Sequence, residues 1–318
     1  MYKPQPVLIL GFNRDLSLAS ILEKIPMNMG RKVWISLDGK SPGMQIDRTK
    51  EVREVASRFL QNWPNQVTLL VHDVNLGLQT HCISTIQKFF HSHESGIILE
   101  DDVSPTRNFF DFMDYALEEH RNNHRIFAIN GWTPFLQTDL VSQTHLTRYF
   151  IPWGWGSWSD RVEMIDFEMK TYNRKTWHIG GTISSLRKNL GFRNYWTRRF
   201  DMSGLQGGCS YDWAFLYEMW RMNGMCVSPS ERMVTNIGYD EMASHSTPGS
   251  IRQRASARED FQNSFSTSPL TYNLKLDLRF ERLMWDLGRQ RVISSLTFRM
   301  NKTSEIIRNS RSLRFPRS

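Results

Sequence analysis

Short apolar runs alternate with stretches of helical periodicity through the first part of the chain. Four apolar runs end in polar residues, as buried strands do: VLILGF (7–12), KVWISLDG (32–39), QVTLLVHD (66–73) and GIILEDD (96–102). Three stretches with apolar residues at helical spacing separate them: about 16–25, 46–60 and 78–90. This alternation predicts an α/β fold with a mostly parallel central sheet flanked by helices. Ligands of such sheets bind outside the carboxyl ends of the strands.

The pattern becomes less regular after the fourth strand. A helix is predicted from Thr106 to about His120, with Ser104 as its N-cap and Pro105 at its first position. The run RIFAING (125–131) predicts a fifth strand. Helical stretches follow near 183–199 and near 211–222. A polar loop then extends to about Arg254.

Polar residues gather where the predicted strands end. They are Asn13 and Arg14 after the first strand, Asp38 after the second, Asp73 and Asn75 after the third, and Glu100, Asp101 and Asp102 after the fourth. Three adjacent carboxylates at a strand end can hold a hard divalent cation through oxygen ligands, leaving room for phosphate oxygens. In the alternative interpretation, Asp101 and Asp102 favour the N-terminus of the next helix and Glu100 faces solvent.

Composition limits the class of protein. A chain of 318 residues with 40% hydrophobic residues can bury the core of one large domain or two modest ones. The three cysteines have no CxxC spacing, which suggests neither a disulfide framework nor a thiolate metal site. No apolar run is long enough for a membrane span, and the N-terminus lacks signal-peptide features. We therefore expect a cytoplasmic protein.

The net charge of +8 is concentrated in a C-terminal basic tail, residues 288–318. Its cations oppose a single acid, Glu305: Arg289, Arg291, Arg299, Lys302, Arg308, Arg311, Arg314 and Arg317. With apolar residues interspersed, the tail could lie on an anionic membrane surface or bind an acidic partner. The alternative is a docked helix followed by a frayed basic end. Nucleic acid is not expected as a partner, because no aromatic readout motif is interleaved with the cations.

Several motifs, in this order, resemble a nucleotide-sugar glycosyltransferase of the GT-A fold, as in the N-acetylglucosaminyltransferase I family and its bacterial relatives. They are GFNR (11–14), ISLDG (35–39), LEDD (99–102) followed by FFDFM, GWGSW (154–158), and YDW (211–213) with SPSERMVTNIGYDEMASH behind it. The resemblance covers roughly residues 5–246 and rests on the order of the motifs. It implies a Rossmann-like GT-A domain with a nucleotide-sugar half (1–102), an acceptor and catalytic half (103–254), and a basic, partly helical C-terminal extension (255–318).

The resemblance also implies roles for individual residues. Asp102 would hold a Mn²⁺ (or Mg²⁺) that bridges the donor diphosphate, Asp101 would approach the ribose, and Glu100 would face the donor sugar. Nucleotide contacts would come from Arg14, with its neighbour Asn13, from Asp38 at the uracil, and from His81. Asp212 corresponds to the catalytic base. His245 lies in a late loop that can close over the donor and is a further candidate metal ligand.

Each of these residues also has an ordinary structural interpretation. Arg14 could serve only as an ion-pair partner, Asp38 could form a plain Asp-Gly turn, and His81 could be a solvated or capped histidine. His245 could be a spectator in a flexible loop. Asp212 could cap the helix that begins at WAFLYEMWRM, although a base that accepts the proton of an acceptor hydroxyl and a cap are compatible roles.

The segment IPWGWGSW combines tryptophans with glycines. Trp153, Trp155 and Trp158 have flat faces that can pack on the C–H edges of a sugar, and Gly154 and Gly156 let the backbone approach a ligand. Trp155 and Gly156 are therefore candidate donor-binding residues. Core packing is the alternative, because 11 tryptophans cannot all contact substrate.

The function expected from these features is metal-dependent, inverting transfer of a sugar from a UDP-linked donor to an acceptor hydroxyl. The acceptor would be a glycan or lipid-linked glycan, made for the bacterial surface at the inner face of the membrane. Two alternatives remain. A sugar-phosphate nucleotidyltransferase usually has a Gly-rich, basic phosphate loop, which GFNRDLS is not. A non-catalytic glycan- or polyanion-binding protein would use the tryptophans and the basic tail.

Overall fold

The computed structural model describes residues 2–44, 46–135, 143–177, 190–204, 211–237, 270 and 272–285. These residues form an α/β structure in which helices flank one eight-stranded sheet, and a two-stranded sheet lies beside it. The strands are β1 Val7–Gly11, β2 Val33–Leu37, β3 Val67–Val71, β4 Ser95–Glu100, β5 Val103–Pro105, β6 Ile126–Asn130, β7 Thr144–Thr147, β8 Trp155–Trp158, β9 Met225–Pro229 and β10 Val234–Asn236. The helices are α1 Asp15–Lys24, α2 Thr49–Asn62, α3 Leu78–Ser92, α4 Arg107–Glu119, α5 Ser159–Val162, α6 Leu190–Gly204, α7 Tyr211–Arg221 and α8 Leu274–Trp285.

The large sheet has the strand order β3-β2-β1-β4-β8-β6-β9-β7. Four of its pairings are parallel, namely β1 with β2, β1 with β4, β2 with β3, and β6 with β9. The other three, which involve β8 and β7, are antiparallel. The prediction of an α/β fold with a mostly parallel sheet flanked by helices is confirmed. Because β4 pairs with β8, both predicted halves of the domain contribute to one sheet.

The first four strands and three helices lie where the hydrophobic pattern predicted them. β1 is central in the sheet, and all five of its residues are buried, as expected for a strand covered on both faces. α2 is amphipathic, with Val52 and Ala56 against the sheet. This part of the fold follows from local sequence, since each strand pairs with a neighbour through a helical crossover.

The predicted start of α4 is wrong. Pro105 lies in β5, which pairs antiparallel with β10, and the helix begins only at Arg107 after Thr106. Ser104 does not cap the helix, because its hydroxyl accepts a hydrogen bond from Lys24 Nζ at 2.8 Å. The partner strand β10 is far along the chain, so local residue preferences could not reveal this pairing.

The C-terminal helix α8 is attached to the sheet by buried ionic contacts. Arg148 Nε lies 3.2 Å from Asp277 Oδ2, and Arg148 Nη2 lies 3.2 Å from Glu281 Oε1, with every side chain at most 2% exposed. Thr147 and Tyr149 donate further hydrogen bonds to these two acids. We call Arg148, Asp277 and Glu281 the Arg148 cluster. Part of the predicted C-terminal extension is therefore a helix that belongs to the fold.

The basic tail lies outside the described residues, as does His245. Within the described ranges, no helix combines the length and the apolar character that crossing a membrane requires.

Candidate active site

The predicted polar residues lie at one edge of the sheet. β1, β2 and β4 are parallel, so their carboxyl ends meet there, and β8 runs antiparallel, so its first residue lies at the same edge opposite Ile98. Helix α7 begins against this edge, where Tyr211 contacts Glu100. The loops after these strands and the start of α7 therefore lie together, at the position where the alternation of strands and helices predicts a ligand-binding crevice.

Asp101 is held against the end of β1. Its amide donates to Leu10 O at 2.9 Å, and its Oδ2 accepts the Phe12 amide at 2.7 Å. Desolvation by the surrounding protein raises the pKa of Asp101 to about 7, while the Phe12 hydrogen bond and the charge of Arg14 act in the opposite direction. Arg14 is thus close enough to this carboxyl to stabilise its ionised form, as a residue at the mouth of the crevice should.

Glu100 connects the strand to helix α7. Its Oε1 accepts a hydrogen bond from the Tyr211 hydroxyl at 2.8 Å. Desolvation is the largest cause of a Glu100 pKa raised to about 8, and three further carboxylates add to the rise: Asp102, Asp212 and Asp101. Asp212 therefore lies near the acids of β4, although the chain separates Tyr211 from Glu100 by 111 positions. We call these four carboxylates the acidic crevice.

The other two members of the acidic crevice are half-buried. Asp102 follows β4, and its carbonyl accepts the Ile237 amide at 2.7 Å. Asp212 lies in the first turn of α7, where the helix dipole favours a negative charge. The Oδ1 atoms of both residues are buried and accept no hydrogen bond within the described part of the chain, while each residue makes a further interaction. A helix start does not account for Asp101 and Asp102, because β5 separates them from α4.

Carboxylate oxygens are ligands that Mn²⁺ and Mg²⁺ accept, and the repulsion among the four acids would fall if a cation lay between them. Among the described residues, however, no group of three or more His, Cys, Asp or Glu side chains is arranged to hold a metal ion. A cation at this position would therefore need oxygens of another ligand, such as a diphosphate, to complete its shell. Asp102 would be the protein ligand in that arrangement.

Asp38 has a clear structural task in the same region. Its carboxylate accepts the amides of Gly39, Leu76 and Gly77 at 2.8, 2.8 and 3.1 Å, and Asn75 Nδ2 at 3.1 Å. These four donors connect the loop after β2 to the loop before α3. Asp38 therefore has a structural role between two loops, and a uracil contact stays a prediction.

His81 faces the sheet. Its Nε2 lies 2.8 Å from Ser36 Oγ, and its ring packs edge-to-face on His72 with centroids 5.5 Å apart. Burial lowers the pKa of His81, against the charge of Asp38, so the ring is neutral at physiological pH. It is only 4% exposed, which excludes the solvated alternative. A nucleotide contact stays a prediction.

Asn13 organises the loop that precedes α2. Its Nδ2 donates to Ile46 O at 2.9 Å, and its Oδ1 accepts the Arg48 amide at 2.6 Å. The Arg48 guanidinium forms a two-point contact with Asp15 at 2.7 Å. Sequence reasoning did not single out Arg48 or Asp15, because neither lies in a recognisable motif. Together they hold this loop beside the end of β1.

The structure places Trp155 and Gly156 in the core. Trp155 is fully buried and packs edge-to-face against Phe150 and Phe215, and a Cβ at Gly156 would lie 2.9 Å from Leu117 Cδ1 and 3.2 Å from Gly96 O. Gly156 thus permits close packing within the sheet. The core-packing alternative describes both residues, and in this structure neither presents a surface to a ligand.

The other two tryptophans of IPWGWGSW differ from each other in burial. Trp158 is buried and donates to Leu117 O at 3.1 Å, whereas Trp153 is half-buried and packs edge-to-face on Trp132. Gly154 has a φ of +59°, which a side chain would strain as the chain enters β8. Of the three tryptophans, only Trp153 keeps a partly accessible side chain.

Tyr211 and Cys82 belong to the site but were not predicted as functional residues. Tyr211 is 2% exposed and lies between Glu100 and the Trp155 indole, which donates to its hydroxyl at 3.2 Å. Cys82 is buried, and burial together with the nearby acids raises the pKa of its thiol. The signal for Tyr211 was its position next to Asp212 in YDW.

Comparison of the whole chain with protein-family models gives no match, and comparison with curated proteins gives no matching relative.

Proposed function

We propose that this protein is a GT-A glycosyltransferase that transfers a sugar from a nucleotide donor, UDP-linked, to an acceptor hydroxyl with inversion. One observation supports this most strongly. The Tyr211–Glu100 hydrogen bond joins the YDW segment to the LEDD strand end, which brings the proposed base Asp212 beside the proposed donor-binding carboxylates. These are the two most informative motifs of the family resemblance. The two bonded residues, Glu100 and Tyr211, are 111 positions apart in the chain.

In the proposed reaction, the acceptor oxygen attacks the anomeric carbon of the donor sugar. Asp212 accepts the proton of that hydroxyl, the bond from the anomeric carbon to the diphosphate oxygen breaks, and the nucleoside diphosphate leaves with the electron pair. Attack from the face opposite the leaving group inverts the anomeric centre. Asp212 would act from the first turn of α7, beside Glu100.

The negative charge that develops on the leaving diphosphate needs stabilisation. A divalent cation held by Asp102 would supply Lewis-acid stabilisation when bound. Arg14 would contribute a second positive charge at the end of β1, where its field already acts on Asp101. Asp101 and Glu100 would orient the ribose and the sugar from fixed positions on β4.

The location of the enzyme is part of the proposal. We infer that it works on the cytoplasmic side of a membrane, on a bacterial surface glycan or its lipid-linked precursor, because the basic tail suits an anionic surface. Flotation with anionic liposomes tests this. Equal flotation of the full chain and a chain lacking residues 288–318 would remove this part of the proposal.

The test of the activity is a donor screen that measures hydrolysis or transfer of nucleotide sugars with and without Mn²⁺. We expect turnover of a UDP-linked sugar that depends on the metal and falls about 10²-fold or more in Asp102→Asn and Asp212→Asn. Asp73→Asn is the matched control, since this acid follows the neighbouring strand β3 but is 94% exposed. It should retain wild-type turnover.

Other outcomes would favour other functions. No turnover of any nucleotide sugar, with or without metal, would overturn the proposal. Release of pyrophosphate from nucleoside triphosphate and sugar phosphate would identify a nucleotidyltransferase instead. Glycan binding that is unchanged by Asp102→Asn and Asp212→Asn, without turnover, would identify a binding protein.

A further inference from the structure

We infer that Tyr211 is a positioning residue that fixes the orientation of the Glu100 carboxyl group toward the donor sugar. The inference rests on the proposed function, in which Glu100 is the carboxyl that meets the sugar. It adds a residue outside the donor-contacting set, since Tyr211 is buried beneath Glu100 and would act through it.

The hydrogen bonds around Tyr211 have only one possible direction. The Trp155 indole N–H can only donate, so the Tyr211 oxygen accepts from it at 3.2 Å. The Tyr211 hydroxyl then directs its own hydrogen to Glu100 Oε1 at 2.8 Å. Because Trp155 is fully buried and packs edge-to-face against both Phe150 and Phe215, the start of this chain of hydrogen bonds is fixed.

When a fixed donor binds one oxygen of a carboxyl group, it also restricts the orientation of the other oxygen. Oε1 of Glu100 is held toward Tyr211, so Oε2 is the oxygen that remains for a ligand in the crevice. Rotating the carboxyl group would remove the acceptor from a buried hydroxyl, which costs free energy. Tyr211 thus gives Glu100 a defined orientation, which recognition of a particular sugar hydroxyl requires.

The same contact links donor recognition to the catalytic base. Tyr211 is the first residue of α7 and Asp212 the second, so the bond that orients Glu100 also fixes the start of the helix that carries the base. Loss of the hydroxyl should therefore weaken the contribution of the sugar to binding while leaving the contribution of the nucleotide unchanged. A residue that only supported the fold would affect both equally.

The test compares binding of UDP with binding of UDP-glucose, UDP-galactose and UDP-N-acetylglucosamine by calorimetry in the presence of Mn²⁺. In Tyr211→Phe, we expect the best of these donors to bind about tenfold more weakly and UDP to bind as it does to the wild type. The preference among the three sugars should also decrease, because hydroxyl recognition depends on the oriented carboxyl. The kcat for the best donor should decrease with its affinity.

The matched control is Tyr217→Phe. Tyr217 lies on the same helix, is 4% exposed and also donates a hydrogen bond, to Thr171 O at 3.2 Å. It should leave the affinities for UDP and for the sugar donors unchanged. Trp155→Phe, which removes the donor to Tyr211 but keeps a ring in the core, should cause a smaller decrease of the same kind as Tyr211→Phe.

The outcomes separate this inference from the proposed function. If the wild type binds none of the nucleotide sugars and Asp102→Asn changes nothing, the proposed function fails and the inference with it. If the wild type binds a sugar donor and Asp102→Asn weakens it, but Tyr211→Phe matches Tyr217→Phe, only the inference is overturned. Equal weakening of UDP and sugar donor in Tyr211→Phe would also overturn it.

Discussion

The acidic crevice and the Arg148 cluster both bury carboxylates, but they differ in the origin of the positive charge. In the Arg148 cluster, Asp277 and Glu281 have a guanidinium of the same chain within 3.2 Å. In the acidic crevice, burial raises the pKa of Glu100 to about 8 and three neighbouring acids add to the rise, while Arg14 acts beside Asp101. The first group has one cation beside its two acids, whereas the second brings four acids together and has the larger excess of negative charge.

The difference separates a stabilising role from a binding role. Buried opposite charges with satisfied hydrogen bonds hold two elements together, and removing one partner is costly. Clustered like charges oppose folding unless a ligand compensates them, so a protein keeps them where a ligand binds. We therefore expect substitutions in the two groups to change stability in opposite directions.

Arg148→Met should have the largest effect on stability. It leaves Asp277 and Glu281 buried without their cation, which should lower the free energy of unfolding by about 3–5 kcal/mol. Urea denaturation followed by circular dichroism measures this loss. The matched control is Arg121→Met, whose ion pair with Glu94 is on the surface and should contribute at most about 1 kcal/mol. Equal losses for both variants would show that the Arg148 cluster does not hold α8 in place.

A buried histidine near the Arg148 cluster allows a test by pH. Both ring nitrogens of His145 lack a hydrogen-bond partner among the residues that the structure describes, and burial lowers its pKa to about 4 from the usual 6.5. The unfolded chain thus binds a proton at higher pH than the folded protein. The stability contributed by neutral His145 is complete above pH 6.5 and is lost as the pH falls toward 4.

His145→Leu should remove this dependence on pH. Between about pH 7.5 and pH 5, the free energy of unfolding of the wild type should fall by about 2 kcal/mol more than that of His145→Leu. Urea denaturation at the two pH values gives both numbers. His124→Gln is the control, because this side chain is 72% exposed and should follow the wild type. Equal decreases in the free energy of unfolding of the wild type and His145→Leu would contradict a buried, neutral His145 ring.

Asp102→Asn should have the smallest effect and the opposite sign. Removing one like charge from the acidic crevice should raise the free energy of unfolding by about 1 kcal/mol in the presence of a chelator. Thermal denaturation of the metal-free protein measures the change, and Asp73→Asn should show none. A marked loss of stability in Asp102→Asn would mean that this carboxylate is compensated within the protein, as in the Arg148 cluster.

The sequence predicted the first half of the fold well, for a physical reason. From β1 to β4, each strand and helix is specified by its own hydrophobic period, although β4 pairs with the distant strands β1 and β8. β5, β7, β8, β9 and β10 were missed because their pairing depends on distant segments, and β9 and β10 lie where a polar loop was predicted. Val103 faces Asn236 across the small sheet, and the buried run WGSW has the composition of a binding segment although it is a central strand.

The acidic residues of the site were predicted from the sequence, but the contacts that join them were not. The positions of Glu100, Asp101 and Asp102 after an apolar run indicated a crevice, and the resemblance added Asp212. Nothing in the local sequence could show that Tyr211 joins them, since this contact depends on how α7 packs over β4 and β8. Asp38 was selected for its position at a strand end, but three of its four hydrogen bonds depend on a loop far along the chain.

The buried Arg148 side chain limits where the protein can be shortened. A chain that ended before Leu274 would lack both acids and leave a guanidinium in an apolar interior, so we expect it to misfold or be degraded. A chain that ended after Trp285 would keep the whole Arg148 cluster. The predicted boundary at residue 255 is therefore not a safe cutting point, whereas removal of residues 288–318 keeps every member of the Arg148 cluster.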